Sequence, residues 1–357
     1  MKSLVIEKAN VKLNLAAIRR RAGEAEIIAD LSGGGQGMGL IWAARFLREE
    51  GIHCFAVNET GDALQLRKNG FTEEQILMLR SVTDTKELKA MLENDIICTV
   101  GSYDAGIALN GIAEEAGTVA EVRIRIDTGL GQYGFLPAEL DKVLNLYRHM
   151  SGLAISGLYT RLSASTNKEF TKRQYAEFTA MLDALHAQGV ETGIVHALDS
   201  AALFNFDFGQ QAAVCVGSAI LGRTPAPKDS GLVKVGYIET TLEEIDWLPK
   251  GSCIGLGDVV KLKKPIKAAV LDVGWYNGIA VNRYQDEPFL TRIKTALSYK
   301  SRFEPLICVN GKRVHVLGRI GMTGVAVDVT KCQCKAGDLA IIEADPRMVR
   351  GLMVDFR

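Results

Sequence analysis

Between residues 26 and 221 the chain repeats one pattern eight times: a short apolar run, then in most cases a segment with apolar residues at helical spacing. The predicted strands cover 26–30, 53–57, 75–79, 96–100, 122–126, 153–159, 193–196 and 213–221. The predicted helices include 40–50, where Leu40, Ala43, Ala44 and Leu47 share one side, and 60–68, 103–116, 137–150 and 168–188. Gly51, Gly70, Gly117 and Gly189 follow four of these as stops. A doubly wound open sheet rarely takes eight strands in one domain, so eight successive β/α units predict a (β/α)₈ TIM barrel.

Past Arg223 the pattern changes. Residues 224–231, TPAPKDSG, read as a linker. Short β-like runs follow at 235–241, 259–262, 268–273, 305–309, 313–316, 325–329 and 339–342. Turn pairs such as Asn310-Gly311 and Gly337-Asp338 separate them, predicting a C-terminal all-β domain.

Charge and composition narrow the function. The 42 basic and 42 acidic side chains cancel, which argues against a nucleic-acid or membrane-surface binder. No apolar run is long enough for a membrane span. The opening MKSLVIEKANVKLNL carries Glu7, Lys8 and Lys12 and lacks the apolar centre of a signal peptide. Seven scattered cysteines predict reduced thiols in a cytoplasm. Cys332-Gln-Cys334 has neither a second pair nor a nearby histidine to complete a metal site, so no metal is expected.

In such a barrel the functional residues sit at the C-terminal strand ends. The first strand runs into Asp30-Leu31-Ser32-Gly33-Gly34-Gly35-Gln36-Gly37-Met38-Gly39, a glycine-rich turn able to bring backbone N–H groups close to a ligand. Later strands end in Asp127 to Gln132, in Arg161, in His196, Asp199 and Ser200, and in Gly217 and Ser218. Arg80 and Arg125 add positive charge, to be met by Asp30, Asp127 or an anionic ligand. A Ser200–His196–Asp199 triad is unattractive, because near-neighbours on one loop do not line up as nucleophile, base and orienting acid.

These segments resemble the alanine racemase family of pyridoxal-phosphate (PLP) enzymes along nearly the whole chain. VRIRIDTGLGQYGF (122–135) resembles the family's K-x-D-T-G-M-x-R-x-G-F, VHALDSAAL its H-x-A-N-S-A-A, and VCVGSAILG its V-R-P-G-I-A-L-Y-G. In the second domain, VGWYNG resembles V-G-Y-A-D-G, and LGRIGMTGVAVDVT resembles G-R-V-C-M-D followed by V-D-V-T. The resemblance implies an N-terminal strand (1–10) packed on the β domain, a barrel over 11–225 and a β domain over 226–357. It also implies a homodimer in which the β domain of one subunit covers the barrel mouth of the other.

The family's catalytic positions carry other residues here. The lysine that forms the Schiff base with PLP and serves as one racemising base corresponds to Ser32, and no lysine occurs between Lys12 and Lys68. The second base, a tyrosine, corresponds to Trp275, whose indole N–H relays no proton. The phosphate-binding tyrosine corresponds to Gln36, and the arginine at the pyridine nitrogen to Cys215. The often carbamylated lysine is Arg125, its arginine partner is Gln132, the histidine after strand six is Arg161, and the Met-Asp pair is Met322-Thr323. Ser200, Gly217 and Ser218 match phosphate-contacting positions. The expected ligand-binding set is therefore Ser32, Gln36, Arg125, Gln132, Arg161, His196, Asp199, Ser200, Cys215, Gly217, Ser218 and Met322, with no covalently held PLP. Three functions stay open: a binding protein for a small anion or amino-acid derivative, a PLP-independent enzyme using the same pocket, and a PLP-dependent racemase in which other residues take the catalytic roles. The replacements Arg80, Arg125 and Arg161 predict a cationic mouth that favours a small anion.

Overall fold

The structure is a computed structural model describing residues 2–162, 167–254, 260–281 and 306–357. It contains two compact units, Asn10–Lys234 and Met1–Ala9 with Val235–Arg357. The chain opens with β1 (Ser3–Ile6) and α1 (Lys8–Ala22). The N-terminal strand is thus shorter than expected. Val11, Leu15, Ile18 and Ala22 recur at helical spacing and are buried along one side of α1.

The first unit is the barrel. Its strands are β2 (Glu26–Asp30), β3 (Cys54–Val57), β4 (Gln75–Ser81), β5 (Ile97–Val100), β6 (Ala120–Ile126), β7 (Leu153–Thr160), β8 (Ile194–His196) and β9 (Ala213–Val216). They form one sheet in the order β8-β7-β6-β5-β4-β3-β2-β9, every pair parallel. The ring closes just past β8, where Asp199 bridges Cys215 and the Cys215 N–H donates to the Leu198 carbonyl at 3.0 Å. Residues 217–221, expected as the end of the last strand, form a turn instead. The helices between the strands are α2 (Ser32–Gln36), α3 (Leu40–Glu49), α4 (Thr60–Lys68), α5 (Thr85–Leu92), α6 (Tyr103–Glu115), α7 (Leu140–His149), α8 (Lys168–Ala187) and α9 (Ser200–Asn205).

Side chains fill the barrel rather than leaving a pore. Ile28, Cys54, Ala56, Leu77, Leu79, Ile97, Tyr159 and Ala213 make one buried cluster. Arg123 and Arg125 on β6 are buried as well. The expected linker belongs to this unit, not to the boundary. Asn14 of α1 donates to the carbonyls of Ile220 (2.9 Å) and Val233 (2.8 Å) and accepts from the Val233 N–H (2.7 Å), pinning the chain after the barrel back onto the first helix.

The second unit is all-β. Its strands are β10 (Tyr237–Leu248), β11 (Cys253–Ile254), β12 (Val260–Lys261), β13 (Ile266–Leu271), β14 (Ile307–Val309), β15 (Lys312–Leu317), β16 (Val325–Asp328), β17 (Leu339–Glu343) and β18 (Met353–Phe356). The main sheet runs β13-β16-β15-β14-β17-β10-β1-β18, and β10 also pairs with β13, so six of these strands close on themselves. The long β10 does this by pairing with β17 through its first half and β13 through its second, with a register break between Leu242 and Glu244. Of the expected strands, the starts of 259–262 and 305–309 lie outside the described residues. Among the described residues no helix is long and apolar enough to cross a membrane.

Candidate functional site

The C-terminal ends of β2, β4, β7, β8 and β9 converge on a small pocket open to solvent. Asp30, Leu79, Tyr159, Thr160, Arg161, His196, Ala197, Leu198, Asp199 and Cys215 line it. Four of the residues expected from the sequence are therefore brought together: Arg161, His196, Asp199 and Cys215.

His196 forms a wall. It is 2% exposed, its ring stacks on Tyr159 with centroids 4.7 Å apart, and neither ring nitrogen has a hydrogen-bond partner. Burial, helped by the nearby Arg123 charge, pushes its pKa from 6.5 down to about 3, so the imidazole is neutral at physiological pH. Tyr159 is held by its own hydroxyl, which lies 2.8 Å from Thr99 Oγ1. Sequence reasoning passed over Tyr159, although it sits at the C-terminal end of a barrel strand.

The ionised groups of the pocket are mixed in sign. Asp199 caps α9, accepting from the Ala202 N–H at 2.8 Å. Burial raises its pKa, although that hydrogen bond and the Arg161 charge pull the other way. Burial works against the Arg161 charge, but the Asp30 and Asp199 carboxylates outweigh it and the net direction is up. Asp30 Oδ1 accepts from the Ser32 N–H at 2.9 Å. The Cys215 thiol is pushed well up by burial and by Asp30, so it stays protonated and is no nucleophile.

The other expected residues lie around the pocket without lining it. Arg125 is buried. It donates to the Leu79 carbonyl at 3.3 Å, and its guanidinium lies 5.6 Å from the Tyr133 ring centroid and 5.9 Å from that of Tyr159. Arg80 pairs with Glu87 at 2.6 Å. Asp127 neutralises neither arginine, because its Oδ1 accepts the N–H groups of Gly129, Leu130 and Gly131. Gln132 is exposed. The expectation of a three-arginine cationic rim therefore fails: the lining carries one guanidinium and two carboxyl groups.

The glycine-rich turn is a left-handed coil. Gly33, Gly34 and Gly35 have φ of 69°, 70° and 70°, and Gln36 follows at 55°. This coil turns the Gln36 side chain back to donate to the Asp30 carbonyl at 3.0 Å. There it lies so close to Gly217 that a Cβ on that glycine would sit 2.8 Å from Gln36 Nε2. Ser200 Oγ accepts the N–H groups of Gly217 (3.0 Å) and Ala219 (3.1 Å). Ser218 is half-buried beside them, and the Ser32 hydroxyl is buried without a partner.

In the β unit, Trp275 and Tyr276 donate backbone N–H groups to the carbonyls of Gly321 and Met322, both at 3.0 Å. This clasp leaves Trp275 and Met322 each about half exposed, at 51% and 52%.

The sequence profile of the alanine racemase N-terminal domain matches residues 6–225, and that of the alanine racemase C-terminal domain matches residues 235–349. The chain belongs to the alanine racemase family. An alanine racemase of Methanococcus maripaludis is 27% identical over 346 residues, spanning 94% of this chain and 87% of that protein. One from Methylacidiphilum infernorum is 29% identical over 336 residues, spanning 93% and 80%. The crystal structure of alanine racemase from Streptomyces lavendulae has the same fold, with a TM-score of 0.86, 21% identity, and coverage of 100% of this chain and 97% of that one.

Proposed function

We propose that this member of the alanine racemase family does not carry out PLP-dependent racemisation, and that its barrel mouth binds a small zwitterion of amino-acid type. The observation that carries this reading is the pocket lining itself: Arg161 faces Asp30 and Asp199, and no lysine is present. A ligand carboxylate has a guanidinium to meet, and a ligand ammonium supplies the countercharge the two carboxyl groups lack.

PLP, the cofactor the family implies, does not fit the residues present. The position of the Schiff-base lysine is Ser32, and a hydroxyl forms no imine. Gln36 Nε2 packs against Gly217, and Ser200 Oγ already takes two backbone N–H groups of the turn expected to hold a phosphate. The position of the second base carries Trp275, whose indole N–H relays no proton. What the chain's own groups can do is bind and orient: His196, neutral and stacked, supplies a flat wall, and Tyr159 fixes it. The half-exposed Trp275 and Met322 support assembly as a homodimer, since aromatic and methionine side chains anchor interface centres. The seven free thiols are in keeping with a cytoplasmic setting.

Thermal shift with glycine, L-alanine, phosphate and sulfate, on wild type and Arg161→Ala, tests the ligand class. The expected result is a shift with the amino acids, lost in the variant, because a ligand bound only by the folded state stabilises it by mass action. A shift with phosphate or sulfate alone favours the small-anion reading. No shift with any of them overturns a binding role for this pocket.

A further inference from the structure

Away from the barrel mouth, the β unit carries two thiols on one short turn between β16 and β17. Cys332 is buried, Gln333 is exposed and Cys334 is half-buried. Cys332 Sγ donates to the Val309 carbonyl at 3.4 Å, and the Cys332 thiol acts on the Cys334 thiol two residues away, raising its pKa. The turn is anchored from several directions. The Cys332 N–H donates to the Val329 carbonyl at 2.9 Å, Asn310 Nδ2 to the Gln333 carbonyl at 3.1 Å, and Lys267 Nζ to the Cys334 carbonyl at 3.2 Å. The Lys335 N–H closes the turn onto Asp338 at 3.0 Å. Among the described residues no group of three His, Cys, Asp or Glu side chains stands ready for a metal, so the pair is left with thiol chemistry.

We propose that Cys332 and Cys334 form a dithiol that small-molecule disulfides of the glutathione type oxidise to an intramolecular disulfide. Cys334, the accessible partner, attacks first. Its thiolate forms a bond to one glutathione sulfur, the glutathione S–S bond breaks, and one glutathione leaves as a thiol. Cys332 then gives its proton to solvent, and its sulfur attacks the Cys334 sulfur. The second glutathione leaves as a thiol, and the Cys332–Cys334 bond remains. Two protein thiols lose two electrons, and one small disulfide is reduced to two thiols. Burial and the neighbouring Cys332 thiol push the Cys334 thiol up, and the Lys267 ammonium offsets only part of that rise, so exchange proceeds through the minor thiolate fraction. The anchored turn keeps the two thiols, with one residue between them, on a short, pinned segment, which favours ring closure over a persisting mixed disulfide.

The test is peptide mass mapping of the full chain after treatment with oxidised glutathione, with free thiols blocked before digestion. Trypsin cuts after Lys331 and Lys335 and isolates residues 332–335. The exposed Cys253 reports that the oxidant dose is sufficient. The expected wild-type peptide is two hydrogens lighter than the dithiol and carries no glutathione. Cys332→Ser is expected to stop at the mixed disulfide on Cys334, and Cys334→Ser to leave the buried Cys332 unmodified. A wild-type peptide that keeps glutathione, or that retains both free thiols while Cys253 is modified, overturns the proposal.

Discussion

Replacing His196 with phenylalanine isolates one protonation event in the pocket wall. The ring nitrogens of His196 have no partner, so the variant gives up no hydrogen bond and keeps a planar ring against Tyr159. What it removes is linkage. In the unfolded chain the imidazole titrates near 6.5, and in the folded one near 3. Between those values the unfolded state holds one more proton, so stability rises with pH and is lost as pH falls below 6.5. The slope is about 1.4 kcal/mol per pH unit, which amounts to about 2 kcal/mol at pH 5 relative to neutral. Urea unfolding of both proteins from pH 8 to pH 5 cancels the contributions of all other titrating groups. The difference in unfolding free energy is expected to be flat above pH 7 and to move in the variant's favour by about 2 kcal/mol by pH 5. Parallel curves across that range would refute the reasoning, because they require a folded state that tolerates the imidazolium.

Two other substitutions probe the turn and the assembly. Gly35→Ala places a Cβ at φ 70° and 2.9 Å from the Ala43 Cβ, and is expected to cost about 3 kcal/mol. Gly33→Ala, with open space around it, is expected to cost only about 1 kcal/mol in the same thermal or urea melts. Light scattering at micromolar concentration is expected to report a dimer for the wild type and a monomer for Trp275→Glu, and a monomeric wild type would remove the dimer from the account.

The barrel was legible because its strands are short, apolar and punctuated by glycine, and β2 was bounded correctly from residues alone. The failures over partners share a cause: which polar group a side chain meets is set by the conformation of the chain around it, not by residue type. Arg80 reads as a partner for Asp30, Asp127 or an anionic ligand because the sequence does not announce α5, the element that brings Glu87 to it. Asp127 looked like a counterion, yet its carboxylate is consumed by three N–H groups of its own loop. Residues 217–221 are as apolar as a strand, but the Ser200 hydroxyl takes two of the backbone N–H groups there. The N-terminal helix carried its periodic apolar positions openly, and the strand-like LVI before it masked them. Within the site, the strand ends pointed to Arg161, His196 and Asp199, and the family resemblance added Cys215. The stack of Tyr159 on His196 and the fold-back of Gln36 onto Gly217 depend on positions distant in sequence and became visible only in three dimensions.

The most direct test of the central claim is solvent-deuterium uptake at the Cα of L-alanine, followed by proton NMR in deuterated buffer with the purified chain and added PLP. On the proposal that Ser32 and Trp275 occupy the two base positions, uptake is expected to match that of PLP and alanine without the protein. Uptake that exceeds this background in proportion to protein concentration would contradict the account and restore the chain to PLP-dependent racemisation.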